Sequence, residues 1–590
     1  MDDLKGAACF MSVKITLQDA YKTSTDDQDK IMSPEETIAT YRDRLQSAQL
    51  DILDHTERID NGRLDIPVFF SVCGKDGQAI IGNKKQMGKG ATPAQAEASA
   101  IMELAERFSF FSFCKSPAHF SIDTYANLKQ EALPFEAIAK SVHDTTGDLD
   151  AACRVFETIP MRWTRAWNLT AGREVMVPFD WFYAINEFNG PSAGNCQEEA
   201  LSQGICEIVE RHVSSIVSRR KRILPAIRPE SATDAMVRET LGKYRRNGIE
   251  LFVQDFSLDT GIPTVGVLAY DPATFPKSSE LVWTAGTTPN PEKAFSRALT
   301  EVAQLAGDFN SGANYVASGL PKYTRLEQAA FLMNPEATID LNALPDLSND
   351  NIRVEVENLV QALDRRGLEV LVINTMHPQL DIPAFYTIVP GTHFRERAEG
   401  TSVGMFSAKL VVENQPPEIA LYELQKFDTL LPGRYYLQFY MGLCHLNAGR
   451  PEEALPHLHR ALELDPEEED IASIYSYIGV CLKDTGRFRE ALAALQKGVA
   501  VDDERTDLHN LMGFCHFQLK EHEHAIKCFE TVIRLDPGSA IDYANIASNY
   551  RDLDRPADAI RYYRMALEID PGIAFARDNL ARLTGTPESA

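Results

Sequence analysis

Between Arg434 and Pro571 the chain repeats itself, and no other feature narrows its fold so far. Gly442, Gly479, Gly513 and Ala547 occupy one equivalent position, and Ala454, Ala491, Ala525 and Ala559 each follow twelve residues later. The steps are 37, 34 and 34 residues. Leu458, Leu495, Phe529 and Tyr563 keep the same register, as do Pro466, Asp503, Pro537 and Pro571. A period near 34 residues is the length of a helix pair with its turns. Small residues let the two helices approach, the bulky residue fills the gap, and proline ends the second helix. One such pair cannot bury its apolar face alone, so successive pairs must stack into an all-α solenoid.

This pattern resembles the tetratricopeptide-repeat family over residues 434–571, with 572–585 reading as a capping helix and 418–431 as a further N-terminal helix. The three extra residues of the first step fall in the acidic turn Pro466-Glu467-Glu468-Glu469-Asp470. The resemblance implies a groove that binds a protein partner and carries no chemistry. Cys444, Cys481 and Cys515 recur two residues after the small position and read as buried helix residues rather than ligands. His445 and His516, beside two of them, read as core or groove residues at the usual aromatic position.

At 590 residues the chain exceeds one core. Its 44% hydrophobic and 24% charged residues fit a soluble globular protein, and its net charge of −26 opposes direct nucleic-acid or anionic-membrane binding. The ten cysteines form no Cys-x-x-Cys pair and no zinc-spaced cluster, as expected in a reducing compartment. Met1-Asp2-Asp3-Leu4-Lys5 opens no signal-like segment, and no apolar run reaches the ~18 residues of a membrane span. A cytoplasmic protein is expected.

Upstream of the repeats the texture changes. Ile66–Val72, Ile262–Tyr270 and Leu368–Ile373 read as strands. Pro93–Phe113, Gln197–Arg219, Pro291–Phe309 and Asn351–Arg366 read as helices with start signals. The expected organisation is an N-terminal segment over 1–65 that contributes to an α+β core over 66–395, a linker over 396–417 marked by Gly400, Gly404 and Pro416-Pro417, and repeats over 418–590.

Three of those helices share a spacing. They read Ser99-x-x-x-Glu103-x-x-Glu106-Arg107, Gln203-x-x-x-Glu207-x-x-Glu210-Arg211 and Arg297-x-x-x-Glu301-x-x-Gln304. Positions i, i+4 and i+7 run along one helix stripe, so each helix lines up acidic or amide groups on an otherwise apolar rod. Carboxylates held so close require compensation. Arg107 and Arg211 supply it if these are helix-surface ion pairs; a shared site for Mg²⁺, which favours carboxylate and phosphate oxygens, is the alternative that recurrence on three helices supports. Gly88-Lys89-Gly90-Ala91-Thr92 and Asn189-Gly190-Pro191-Ser192-Ala193-Gly194-Asn195 lead into the first two helices, where exposed N–H groups suit phosphate. Neither is a Walker loop, because Lys89 precedes Gly90.

Together these segments, with Glu198-Glu199-Ala200 and Arg297-Ala298-Leu299-Thr300-Glu301, resemble the YcaO superfamily over residues 30–395. The resemblance implies an α+β catalytic domain that uses ATP and Mg²⁺ to phosphorylate a backbone amide oxygen of a peptide or protein. By matching position it implies Glu103, Glu106, Glu207, Glu210 and Glu301 as metal ligands. It implies Ser99, Ser192, Asn195, Glu199, Arg211 and Arg297 as nucleotide contacts or groups that orient the ligands, with Arg107 beside Glu103 and Glu106. Lys89 joins the nucleotide side, as do Lys30 and Thr37, which match the family's Lys-x₆-Ser with threonine for serine. No catalytic residue is singled out.

Azoline-forming members end in a proline-rich tail, whereas this chain runs into repeats and on to Gly585–Ala590. The closest resemblance is therefore to the stand-alone bacterial type, linked as an accessory factor to β-methylthiolation of ribosomal protein S12. Two alternatives stay open: a thioamide- or azoline-forming enzyme, and a non-catalytic nucleotide-binding adaptor. The expected partners are the peptide or protein substrate, a protein held by the repeats and, as in many family members, a second copy of the chain.

Overall fold

The computed structural model describes residues 14–26, 28–82, 85–309, 323, 325–394, 401–536 and 538–585. Met1–Lys5, Gly400, Pro537 and Thr586–Ala590, named above, lie outside them, as does Cys9, one of the ten cysteines. The chain divides into two compact units, residues 1–145 with 157–401 and residues 146–156 with 402–590.

The first unit is α+β, with three sheets. One is a three-stranded antiparallel sheet, Leu53–Arg58, Val68–Cys73 and Gln86–Lys89. The second has five strands in the order Val282–Thr287, Thr264–Tyr270, Glu250–Asp255, Ala226–Ile227, Thr338–Ile339, of which only the last pairing is parallel. The third runs Ser121–Asp123, Met161–Asn168, Leu371–Asn374, Ala384–Ile388, Pro191–Ala193, with Arg173–Pro178 also pairing to Met161–Asn168.

Each sheet carries one of the glutamate helices. Helix Pro93–Lys115 starts where Thr92 Oγ1 accepts from Gln95 N, and its Ile101, Leu104, Ala105 and Phe108 pack with Ile52 and Cys73 at the small sheet. Helix Pro291–Ala306 starts where Asn290 accepts from Glu292 N and Lys293 N; its Phe295, Ala298, Leu299 and Val302 share a core with Val265 and Val267. Helix Gln197–Arg220 packs on strands Ala384–Ile388 and Pro191–Ala193. A Cβ on its Gly204 would stand 2.5 Å from Thr387 Oγ1, so only glycine permits that approach.

An extended N-terminal strap joins these pieces. Gln18 N donates to Glu198 Oε1 at 2.7 Å, Ala20 N to Asn351 Oδ1 at 3.0 Å and Ile31 N to Glu199 Oε1 at 2.7 Å. The buried Lys22 ammonium bridges Asp29 and Glu355 at 2.8 and 2.6 Å.

The second unit is all α. Four helix pairs follow one another: Tyr435–Asn447 with Pro451–Glu463, Glu468–Asp484 with Phe488–Val501, Thr506–Gln518 with His522–Leu535, and Ala540–Asp552 with Pro556–Ile569. Helix Ala574–Thr584 closes the series. The repeat positions meet as their sizes require: a Cβ on Gly479 would come within 2.4 Å of Leu495, and one on Gly513 within 2.7 Å of Phe529. Cys444, Cys481 and Cys515 are fully buried. The turn inside every pair passes through the left-handed region at the same repeat position, Gly449, Gly486, Lys520 and Asp554.

Most of the stretch expected to be a linker is instead helix Val403–Asn414, begun by Ser402 accepting from Met405 N at 3.1 Å. Gly404 had pointed to an irregular connection. In the fold it is a contact glycine, since a Cβ there would stand 2.5 Å from Tyr436 Oη. Helix Leu149–Phe156 belongs to this unit too, with Asp148 ion-paired to Arg434.

Candidate functional site: a carboxylate-lined cavity

The three glutamate helices and the strap enclose a cavity of about 350 Å³. That is the size range of small-molecule sites. Glu103 and Glu106 enter from the first helix, Glu207 from the second and Glu301 from the third. Arg107, Arg211 and Arg297 stand among them, and Lys30, Thr37, Lys89, Ser99, Asn195 and Glu199 complete the expected residues that line it.

Two expected residues lie behind the wall. Glu210 is 1% exposed, and its Oε2 accepts from Thr287 N at 3.1 Å and Arg297 Nε at 3.0 Å. Gln203 Oε1 accepts from the same guanidinium at 3.2 Å, so Arg297 is held at two points. Ser192 is fully buried, and its Oγ stands 2.7 Å from where a Cβ of Gly204 would be.

The charges on the wall are only partly paired. Arg107 lies 3.4 Å from Glu106 and 3.9 Å from Glu103, and Arg211 lies 3.8 Å from Glu207. These distances neutralise charge without occupying the carboxylate oxygens in short hydrogen bonds. The ion-pair reading of Glu-x-x-Glu-Arg is thus met in the fold, but around the mouth and wall of a shared cavity rather than on the outer face of a lone helix. Glu103 keeps 32% of its side chain accessible because it faces the cavity. Burial raises the Glu103 and Glu106 carboxyls above their ordinary values, against the opposing pull of Arg107. The Lys89 ammonium is pushed down to about 7, first by burial and then by Arg297, although it pairs with Glu301. Each shift marks a charge placed where water is scarce.

Glu199 does structural work at the edge. Its Oε2 accepts from Asn195 N and Nδ2, both at 3.1 Å, while its Oε1 takes Ile31 N, and Lys30 Nζ lies 3.8 Å away. Through it the strap delivers Gln28, Lys30 and Met32 to the wall. Replacing Glu199 with alanine is expected to speed amide exchange at Ile31 by at least about tenfold, the equivalent of one lost charged hydrogen bond. Unchanged protection, read by hydrogen exchange, would mean the strap is held from elsewhere.

Gln28, Met32, Met87, Met102 and Thr300 line the cavity without having been expected there. Thr300 precedes Glu301 within the matched motif and was within reach of inference. Gln28 and Met32 were not, because only pairings across more than 160 residues bring them in.

Converging carboxylates opposite arginines define a site for a phosphate-bearing ligand and hard cations: the oxygens suit Mg²⁺ and the guanidinium groups suit phosphate. The class is that of an ATP-using enzyme without a Walker loop. The chain belongs to the YcaO family, since residues 87–393 match the family described as YcaO cyclodehydratase, ATP- and Mg²⁺-binding. ATP and Mg²⁺ are its cofactors. Residues 435–504, 506–539 and 543–573 match tetratricopeptide repeats.

An uncharacterized protein of Methanothermobacter thermautotrophicus is 29% identical over 380 residues, which cover 61% of this chain and 93% of that one. The ribosomal protein S12 methylthiotransferase accessory factor YcaO of Escherichia coli is 28% identical over 244 residues, 37% of this chain and 40% of the relative. The structure of YcaO from Methanopyrus kandleri bound with AMPPCP and Mg²⁺ is similar in fold, with a TM-score of 0.51 and 23% identity, covering 65% of this chain and all of that one. Among the described residues, no helix is long and apolar enough to cross a membrane.

Proposed function

We propose that the first unit activates a backbone amide of a peptide or protein by transferring the γ-phosphoryl group of ATP to the amide oxygen, and that the repeats recruit the protein on which it acts. The observation that carries this is the meeting of four carboxylates from three helices, each borne on a different sheet, in one cavity ringed by arginines. In this reading Glu103, Glu106, Glu207 and Glu301 hold Mg²⁺, and Glu210, which the family pattern also makes a ligand, acts from behind them by fixing Arg297. The metal, when bound, neutralises phosphate charge and aligns the transferred group. Arg211, Arg297, Lys30 and Lys89 supply positive charge toward phosphate, and Asn195 and Ser99 give polar contacts on the same wall. Thr37 and Ser192 complete the nucleotide side, Ser192 from behind it, by keeping the strand against Gly204.

An amide oxygen is a weak nucleophile, so most of the help required is positioning and charge neutralisation, which this wall is built to give. Once the oxygen is phosphorylated, a nucleophile adds to the amide carbon and phosphate leaves. The E. coli relative's link to S12 methylthiotransfer makes a ribosomal protein the first substrate to try. The full chain should release ADP from ATP and Mg²⁺ faster when S12 is added, with the mass of S12 reporting which nucleophile enters. ATP binding without turnover, with S12 and with peptide mixtures alike, would replace the enzymatic reading by that of an adaptor.

A further inference from the structure

The third repeat carries a cluster that the ATP site does not use. His516 lies in the last turn of helix Thr506–Gln518, Glu521 caps helix His522–Leu535, and His524 sits in that helix's first turn. One donor atom from each lies within 4.8 Å of the other two. His516 Nδ1 is 2.7 Å from Glu521 Oε2, and the two imidazoles stack with centroids 5.3 Å apart at 25°.

The backbone fixes the trio as firmly as the side chains do. Glu521 N donates to His516 O at 2.9 Å and His524 N donates to Glu521 O at 3.1 Å, with the reversal between them made at left-handed Lys520. The turn that carries the three side chains is therefore held by its own hydrogen bonds. Donors around a tetrahedral ion with bonds of about 2.1 Å stand roughly 3.4 Å apart, so from within 4.8 Å of one another the three must close by about an ångström and the stacked rings must turn.

We propose that His516, Glu521 and His524 bind one divalent transition-metal ion, with Zn²⁺ the best match to two imidazoles and a carboxylate, and leave a coordination position facing solvent. His524 is exposed while His516 and Glu521 are half-buried, so the ion is held at the surface and open on one side. From its repeat position alone His516 read as a core or groove residue; the turn geometry gives it partners the repeat pattern does not contain.

The first repeat supplies an internal control. His445 Nδ1 lies 3.1 Å from Glu453 Oε2 and its ring stacks on His457 at 5.2 Å, a similar composition. There, however, His457 Nδ1 pairs with Gln438 Oε1 at 2.9 Å and Arg450 Nε stands 3.7 Å from the same Glu453 oxygen. In that trio the arginine meets the same carboxylate oxygen that faces the imidazole, whereas Arg489 lies 3.7 Å from Glu521 Oε1 and leaves Oε2 to His516.

The test is calorimetric titration of the full chain with Zn²⁺, read as the difference between variants that all leave the glutamate cavity unaltered. Wild type and His457→Ala should bind one more equivalent than Glu521→Ala/His524→Ala, and His524→Ala alone should bind it at least about tenfold more weakly. His524 is exposed, so its variant should keep the wild-type circular dichroism and melting curve. Equal stoichiometry and affinity in wild type and the double variant would overturn the site, as would loss of the same equivalent in His457→Ala.

Discussion

Glu207→Ala should cut ATP turnover by about 10³-fold, or about 4 kcal/mol of transition-state stabilisation, while the melting temperature changes little. Glu207 faces the cavity, and Arg211, its nearest cation, is 3.8 Å away. Its one hydrogen bond among the described residues is a long one, 3.4 Å from Gly190 N. Removing it therefore takes away a carboxylate that faces the cavity and little that holds the fold. Steady-state ADP release measures the first effect, and competition of Mn²⁺ with Mg²⁺ for the purified protein measures the second site property, metal affinity. Turnover and metal binding both unchanged would remove this carboxylate from the site. Lost metal binding with retained turnover would place it beside a metal that the reaction does not need.

Gly88→Ala is expected to destabilise the first unit by at least about 3 kcal/mol, with loss of ATP binding at temperatures where wild type is folded. A Cβ there would fall 2.0 Å from Ala100 N and 2.3 Å from Ala96 O, both backbone atoms of the first glutamate helix. No side-chain rotation relieves that contact, so helix and strand must part, and Glu103 and Glu106 move with the helix. Gly286 makes the same approach to the third helix, 2.3 Å from Ala294 O and 2.6 Å from Ala298 N. Thermal melts of Gly88→Ala and Gly286→Ala should fall together, and a wild-type melt for either would show that the strand can retreat without cost.

The repeats were legible because everything that defines them is local: glycine, alanine and the bulky residue meet within one helix pair. The glutamate stripes were legible for the same reason, since a helix sets their spacing whatever surrounds it. Their depth was not. Helix Gln197–Arg220 is buried on nearly every side, so its apolar pattern points nowhere in particular, and a single helical step of three residues separates Glu207 at the cavity from Glu210 behind it. Gly404 misled in a related way: glycine before a proline pair suggests a broken chain, but its role depends on Tyr436, thirty-two residues further on. The strap was the least legible part, because its alternation is ordinary and its meaning lies in Glu199, Asn351 and Glu355.

The strap also orders events during synthesis. Ala20 leaves the ribosome 331 residues before the Asn351 that receives its amide, an interval of about 17–66 s at ordinary elongation rates. Glu199, which receives Ile31 N, is available far earlier, so the Lys30 end of the strap can be held before the Ala20 end is. A chain stopped just short of Asn351 thus carries all five glutamates and the Glu199 anchor of the strap, and lacks only the clasp that Asn351 and Glu355 give to Ala20 and Lys22.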